Sequence, residues 1–218
     1  MKPLLLVNFK TYIEATGKEA VKLAKLIDKI AEQKKANVII AVEMADIYPV
    51  SKAVSIPVFA QHIDPIEGGA HTGAILAEDV KDNGANGVML NHSEKRMKYR
   101  DLRKSIEIAK RNGLKTVICV SNVAYIRRVR RFKPDYIAIE PPELIGTGIS
   151  VSTAKPGLIR KAVKKARGIP LLAGAGISSG LDVKKAMELG ASGALAASAI
   201  VKAKDQKAII LEMINALR

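Results

Sequence analysis

Short apolar, β-branched runs alternate with longer amphipathic stretches from one end of this chain to the other. Eight runs read as strands: Leu4–Asn8, Val38–Val42, Val58–Gln61, Gly87–Asn91, Thr116–Val120, Tyr136–Glu140, Leu171–Ala173 and Ala194–Ala197. Between and after them the apolar positions recur at helical spacing. Ala20, Leu23, Ala24, Ile27, Ile30 and Ala31 form one such stripe. Ile159, Ala162, Val163 and Ala166 form a second, and Ile210, Met213, Ile214 and Leu217 a third. Gly113, Gly168 and Gly190 follow helical stretches, where a left-handed cap residue is expected.

Eight strand–helix units in 218 residues allow about 27 residues each, near the smallest that a (β/α)8 barrel can use. No linker or low-complexity tract divides the chain, so residues 1–218 are expected to form one domain. An open, doubly wound α/β sheet shows the same alternation. That fold would often carry G-x-G-x-x-G after its first strand, where this chain has Lys10-Thr11-Tyr12. Gly174-Ala175-Gly176 comes late, and the next glycine, Gly180, falls one place too far for the fingerprint. The pattern therefore predicts a single-domain (β/α)8 barrel of the α/β class.

The composition, 48% hydrophobic, is ample for a single core and unlike that of a disordered chain. The single cysteine, Cys119, excludes an internal disulfide framework and fits a reducing compartment. The first apolar run, Leu4–Val7, is far too short for a signal peptide or membrane span, so the expected location is the cytoplasm, with no membrane partner. The net charge of +15 is spread over nearly every helical segment, with a dense patch at Arg127, Arg128, Arg130, Arg131 and Lys133. Three Phe, five Tyr and no Trp leave little to stack on bases, which argues against nucleic acid as a partner. The charge reads as a solvated surface that mildly steers anions.

A barrel places catalytic groups at the C-terminal ends of its strands and phosphate after strands seven and eight. Those ends carry Asn8 and Lys10, His92 and Glu140, and, on the last two strands, Gly174-Ala175-Gly176 and Ala196-Ala197-Ser198. Glu140 shares a strand face with Tyr136 and Ala138, which points its carboxylate into the barrel mouth. After it, Pro141-Pro142 is stiff while Gly146 and Gly148 are free, the makings of a segment that swings as a unit. Asn8 and Lys10, two apart on an extended run, project together, with Phe9 on the other side. His92 precedes Ser93 and Glu94, which read as a helix start whose backbone N–H groups would keep the imidazole neutral. His62 and His71 lack ligand spacing, so no metal site is expected. Cys119 reads as packing rather than nucleophile.

In order along the chain, Asn8-Phe9-Lys10, Ala60-Gln61, Gly69-Ala70-His71-Thr72-Gly73, His92-Ser93-Glu94-Lys95-Arg96 and the Glu140-Pro-Pro-Glu-Leu-Ile-Gly-Thr-Gly segment resemble the triosephosphate isomerase family. Phe9 replaces the usual tryptophan, and Ala197-Ser198 replaces the two glycines of many members. The chain is also roughly thirty residues shorter than the usual barrel, with helices four to six trimmed. All three features are shared with the short archaeal-type members.

The resemblance implies a cofactor-free isomerase that interconverts dihydroxyacetone phosphate and D-glyceraldehyde 3-phosphate through an enediol(ate). That family is itself the standard case of a glutamate base paired with a neutral histidine. By resemblance Glu140 is the base, His92 the electrophile, and Lys10 a cation for phosphate and enediolate. Asn8, Ile145, Gly146, Gly176, Ala197 and Ser198 would bind the small phosphorylated substrate, and Glu94 would hold Lys10 or His92 in place. Gly174 suits either turn chemistry or the phosphate site. His71 and Thr72 resemble the family's interdigitating loop and imply a homodimer or homotetramer. The competing readings are another phosphosugar isomerase or epimerase on the same barrel, and a basic nucleic-acid-binding α/β protein.

Overall fold

The computed structural model describes residues 2–144 and 149–217. Eight parallel strands close into a barrel in sequence order: β1 (Leu4–Asn8), β2 (Asn37–Val42), β3 (Val58–Ala60), β4 (Gly87–Leu90), β5 (Lys115–Val120), β6 (Tyr136–Ile139), β7 (Leu171–Ala173) and β8 (Gly193–Ala196). The eight expected strands are all present. Gln61, Asn91, Glu140 and Ala197, expected as last strand residues, each fall one place beyond the ladder. The ladder's grip does not end so abruptly. Gln61 N–H still donates to Val42 O at 3.2 Å and Glu140 N–H to Val120 O at 2.8 Å.

The helices are α1 (Lys18–Lys34), α2 (Met44–Ser51), α3 (Ala77–Asp82), α4 (Tyr99–Arg111), α5 (Val123–Val129), α6 (Val151–Ala154), α7 (Pro156–Ala166), α8 (Gly180–Glu188), α9 (Ser198–Val201) and α10 (Gln206–Asn215). All six residues of the α1 stripe are buried. Burial of Leu23, Ile27 and Ile30 alone stabilises this contact by roughly 1.5–3 kcal/mol per side chain. Gly113, Gly168 and Gly190 take φ of 64°, 86° and 93° just past α4, α7 and α8, the left-handed geometry expected of them. Of the helices expected to be trimmed, the one after β5 has seven residues and the one after β6 is broken at Lys155-Pro156, while α4 after β4 runs thirteen.

Strand alternation divides the core in two. Leu4, Leu6, Ile39, Ala41, Phe59, Met89, Val117, Cys119, Ala138, Leu172 and Leu195 fill the barrel. The intervening residues, among them Ile137 and Ile139, face the helices. Arg127 and Arg128 lie on α5 and Arg130, Arg131 and Lys133 on the turn after it, with the Arg128 guanidinium 4.4 Å from the Tyr99 ring centroid.

Closure depends on a glycine. Leu4 pairs with Gly193, and a Cβ at Gly193 would stand 1.9 Å from the Leu4 carbonyl oxygen. Gly193→Ala is expected to force β1 and β8 apart, at a cost of about 3 kcal/mol or more, roughly 6–12 °C in Tm for a domain of this size. Thermal denaturation checks this, and an unchanged Tm would mean the seam between first and last strands is looser than it stands here.

Candidate active site

Glu140 follows β6 directly, and its side chain turns inward with Tyr136 and Ala138, as the alternation required. It is 1% exposed, and among the described residues no donor stronger than the Cys119 thiol is placed against its carboxyl group. Room for it comes from Gly174, where a Cβ would sit 2.7 Å from Glu140 Cγ. Gly174 is thus required by the approach of the carboxyl group. Burial pushes the Glu140 pKa up to about 7, partly offset by the Cys119 thiol and by the positive charges of Arg96 and Lys10. Cys119, on β5, has its thiol pushed well up by the same burial and by the neighbouring carboxylate, which agrees with packing and not nucleophilicity.

His92 Nε2 lies 3.6 Å from Glu140 Oε1. Its other ring nitrogen, Nδ1, accepts the backbone N–H of Glu94 at 3.3 Å. A protonated Nδ1 could not accept, so the ring is neutral and presents Nε2–H to the cavity. Burial, assisted by the charges of Lys10 and Arg96 and opposed by Glu94, lowers the His92 pKa to about 4. The neutral imidazole was expected, but not by this route. Residues 92–95 form a turn closed by Lys95 N–H to His92 O at 2.9 Å, and the helix begins only at Tyr99. Asn91 builds that turn from a left-handed φ of 62°. Its amide donates to Cys119 O at 2.8 Å, its oxygen accepts Met97 N–H at 3.0 Å, and its carbonyl accepts Arg96 Nη1 at 3.1 Å.

Lys10 also has a left-handed backbone, φ 50°. Its N–H donates to Asn8 Oδ1 at 3.0 Å and its carbonyl accepts Gln61 Nε2 at 3.0 Å. The ammonium meets Glu94 Oε1 at 2.6 Å, while Glu94 Oε2 is 3.5 Å from His92 Nδ1. Of the two roles open to Glu94, the ion pair with Lys10 is the closer contact.

Lys10, His92, Glu140, Gly176, Ala197 and Ser198 line one cavity of about 290 Å³. Gly176 has φ +66°, and a Cβ there would fall 2.0 Å from Ile149 O, so no other residue fits. Ser198 opens the four-residue α9, whose first N–H groups have no partner within the helix. Asn8 lines instead an adjoining cavity of about 450 Å³, which shares Lys10 and His92 with the first and is also lined by Glu94. Ile145 and Gly146 lie outside the described residues. Sequence reasoning gave no role to Asn91, Arg96 or Gln61. A polar residue closing an apolar strand was the available signal for Asn91 and Gln61, and Arg96 had none. Among the described residues, no group of three or more His, Cys, Asp or Glu is placed to hold a metal ion.

The family model described as triosephosphate isomerase matches residues 3–216. The chain belongs to the triosephosphate isomerase family. Similar members include the triosephosphate isomerase of Methanothermus fervidus, 46% identical over 218 residues that cover 98% of each chain. That of Methanocaldococcus jannaschii is 46% identical over 97% of this chain and 99% of its own. That of Saccharolobus solfataricus is 45% identical over 99% of this chain and 97% of its own. Triosephosphate isomerases are isomerases, and the closed eight-strand barrel is the fold of the family.

The raised Glu140 pKa bears on stability. With a folded value of about 7 against an ordinary 4.5, the contribution is fully present below 4.5 and is lost as pH rises through 7. Glu140→Gln abolishes that titration. The difference in Tm, variant minus native, is expected to grow between pH 5 and pH 8. A difference constant across that window would mean the carboxyl group titrates normally.

Proposed function

We propose that the chain interconverts dihydroxyacetone phosphate and D-glyceraldehyde 3-phosphate by proton transfer through an enediol(ate), in glycolysis and gluconeogenesis. One observation carries the reading: a buried carboxyl group of pKa about 7 stands 3.6 Å from a neutral histidine in a cavity rimmed by small-residue amides. Near neutrality Glu140 is part ionised and, with no donor stronger than a thiol beside it among the described residues, is basic when it is. Its carboxylate takes a proton from the carbon beside the carbonyl, while His92 Nε2–H hydrogen-bonds the carbonyl oxygen where negative charge develops. The proton then returns from Glu140 to the neighbouring carbon, and the C=O and C–OH positions exchange. One proton moves between the two carbons and another between the two oxygens as the C=O bond shifts, so one carbon is oxidised as its neighbour is reduced and no external electron acceptor is needed.

Lys10 stabilises both the enediolate and the phosphate, held to its place by Glu94. The backbone N–H groups at Gly176, Ala197 and Ser198 receive the phosphate, with α9 as the short extra helix found at such sites. The partner is a small phosphorylated triose. Cytoplasmic placement is supported by the one buried, unpaired cysteine. No helix among the described residues is long and apolar enough to cross a membrane.

A homodimer, or a tetramer built from dimers, completes the proposal. Residues 67–74 are all exposed, on a loop closed at its base by Asp64 N–H to Ile75 O at 2.9 Å and Ile75 N–H to Asp64 Oδ2 at 2.8 Å. The 450 Å³ cavity beside Lys10 offers a receiving surface, and Ile13 and Tyr48 are 81% and 55% exposed.

The test of activity supplies D-glyceraldehyde 3-phosphate and detects dihydroxyacetone phosphate in an NADH-coupled assay. Native protein is expected to turn over, and Glu140→Gln to lose on the order of 10³-fold in kcat. Comparable turnover in the variant would place the base elsewhere. No turnover by a folded, phosphate-binding native protein would point to a different sugar phosphate. For assembly, sedimentation should give a multiple of the 23.4 kDa chain. Replacing residues 68–73 by a short glycine link should shift it to a single chain, and an unshifted mass would exclude this loop from the interface.

A further inference from the structure

Behind the amide rim of the cavity, a set of hydroxyl groups converges on one carboxylate. Asp182, the third residue of α8, is only 9% exposed. Its Oδ2 accepts the N–H and Oγ–H of Ser178 at 3.0 and 3.0 Å, and those of Ser179 at 3.1 and 3.0 Å. Ser179 Oγ accepts the Asp182 N–H in return at 3.2 Å, which closes a capping box.

Three features go beyond a helix cap. Ser178 lies outside the box and lines the 290 Å³ cavity, next to Ile177 and Gly176. A second stretch of chain is tied to the same residue. The Ser150 hydroxyl lies beside the Asp182 carboxylate and helps to lower its pKa, and Ser152 Oγ donates to the Asp182 carbonyl at 3.0 Å. The two serine oxygens are 2.9 Å apart, and both residues are buried. This stretch also runs against the rim itself. Val151 N–H donates to Ala175 O at 2.9 Å, and Ile149 O occupies the space where a Gly176 side chain would be.

Asp182 therefore touches two pieces of backbone that are otherwise separate in sequence. One is the 174–179 loop, part of whose backbone faces the cavity. The other is 149–153, which leads from the Glu140 side of the site into α7. Burial alone would raise the Asp182 pKa, but the Ser150 hydroxyl and the hydrogen bonds from Ser178 and Ser179 outweigh it and hold the group below its ordinary range. The side chain is thus an ion at neutral pH, with four donors on one oxygen. Asparagine of the same size can present one acceptor oxygen to the four donors, but it lacks the charge that strengthens those bonds.

We propose that Asp182 is a positioning residue for phosphate binding: it locks Ser150–Ser152 to the Gly176–Ser178 rim and so holds the rim's amides in their aim at the anion. Asp182 itself does not touch the substrate. The inference rests on the reading of the 290 Å³ cavity as a phosphate site.

The experiment compares native protein, Asp182→Asn and Ser152→Ala in three readouts: Kd for inorganic phosphate by calorimetry, kcat and KM with D-glyceraldehyde 3-phosphate, and Tm. Asp182→Asn is expected to weaken phosphate binding and raise KM together, each about tenfold, the loss of about one charge-assisted hydrogen bond, with kcat within about twofold. Ser152→Ala should move Kd and KM in the same direction by about threefold. A purely structural cap would lower Tm and leave Kd and KM unchanged, and that result overturns the proposal. Should Asp182→Asn fail to fold, an unchanged phosphate Kd in Ser152→Ala overturns it equally. Because Kd is read directly, phosphate binding without isomerase turnover would still test Asp182 while refuting the triose reading. Native protein that binds no phosphate would refute the cavity reading and this inference with it.

Discussion

A carboxyl group buried with no donor stronger than a thiol among the described residues is the constraint around which the mouth of this barrel is arranged. An unpaired buried carboxylate is costly, so its surroundings decide whether the group holds or releases a proton. Each neighbour of Glu140 preserves that balance. Gly174 gives it room, and Cys119 sets a weakly polar sulfur against it. His92 stays neutral because its Nδ1 is committed to a backbone N–H. Lys10 is the group that could spoil the arrangement. A direct pairing with Glu140 would pull the carboxyl pKa down and make a poor base of it. Glu94 prevents this by holding the ammonium at 2.6 Å, on the solvent side, where its charge is still felt in the cavity.

The same mouth is made of backbone that has left the strand conformation abruptly. Lys10 and Asn91 both take left-handed φ angles, a conformation that costs a non-glycine residue on the order of 1 kcal/mol. In each case side chains from the site's edge hold it: Asn8 and Gln61 for Lys10, and the Asn91 amide itself for the turn that carries His92. These amides contribute by fixing where the reactive groups stand.

The barrel was legible in the sequence because each strand is built on a short apolar run and α1, α7 and α10 show clear stripes. Glu140 could be placed in the mouth from alternation alone. Where local reasoning failed, the cause was a distant partner or a broken period. Ser93-Glu94 has the look of a helix cap, but the turn there is set by Asn91 and its bond to β5, 28 residues on. Asn8 and Lys10 were expected to project together, which holds only while the chain stays extended. With the left-handed step at Lys10 the two still share the adjoining cavity, but only Lys10 also lines the cavity of Glu140. The hydroxyl cluster at Asp182 joins residues some thirty positions apart, and no short window of sequence contains it.

Closure by Gly193 against Leu4 also orders events during synthesis of the chain. β1 emerges first and finds β2 at once, but its other edge has no partner until β8 appears nearly 190 residues later. Pairings so distant in sequence are slow to form, and an open parallel edge left waiting invites other chains to pair with it. Lys10 stands at the end of β1 and Ser198 at the end of β8, so the cavity they share exists only after the last strand has docked. A nascent chain is therefore inert up to that moment, and the act that makes the catalyst is the same act that removes its exposed edge.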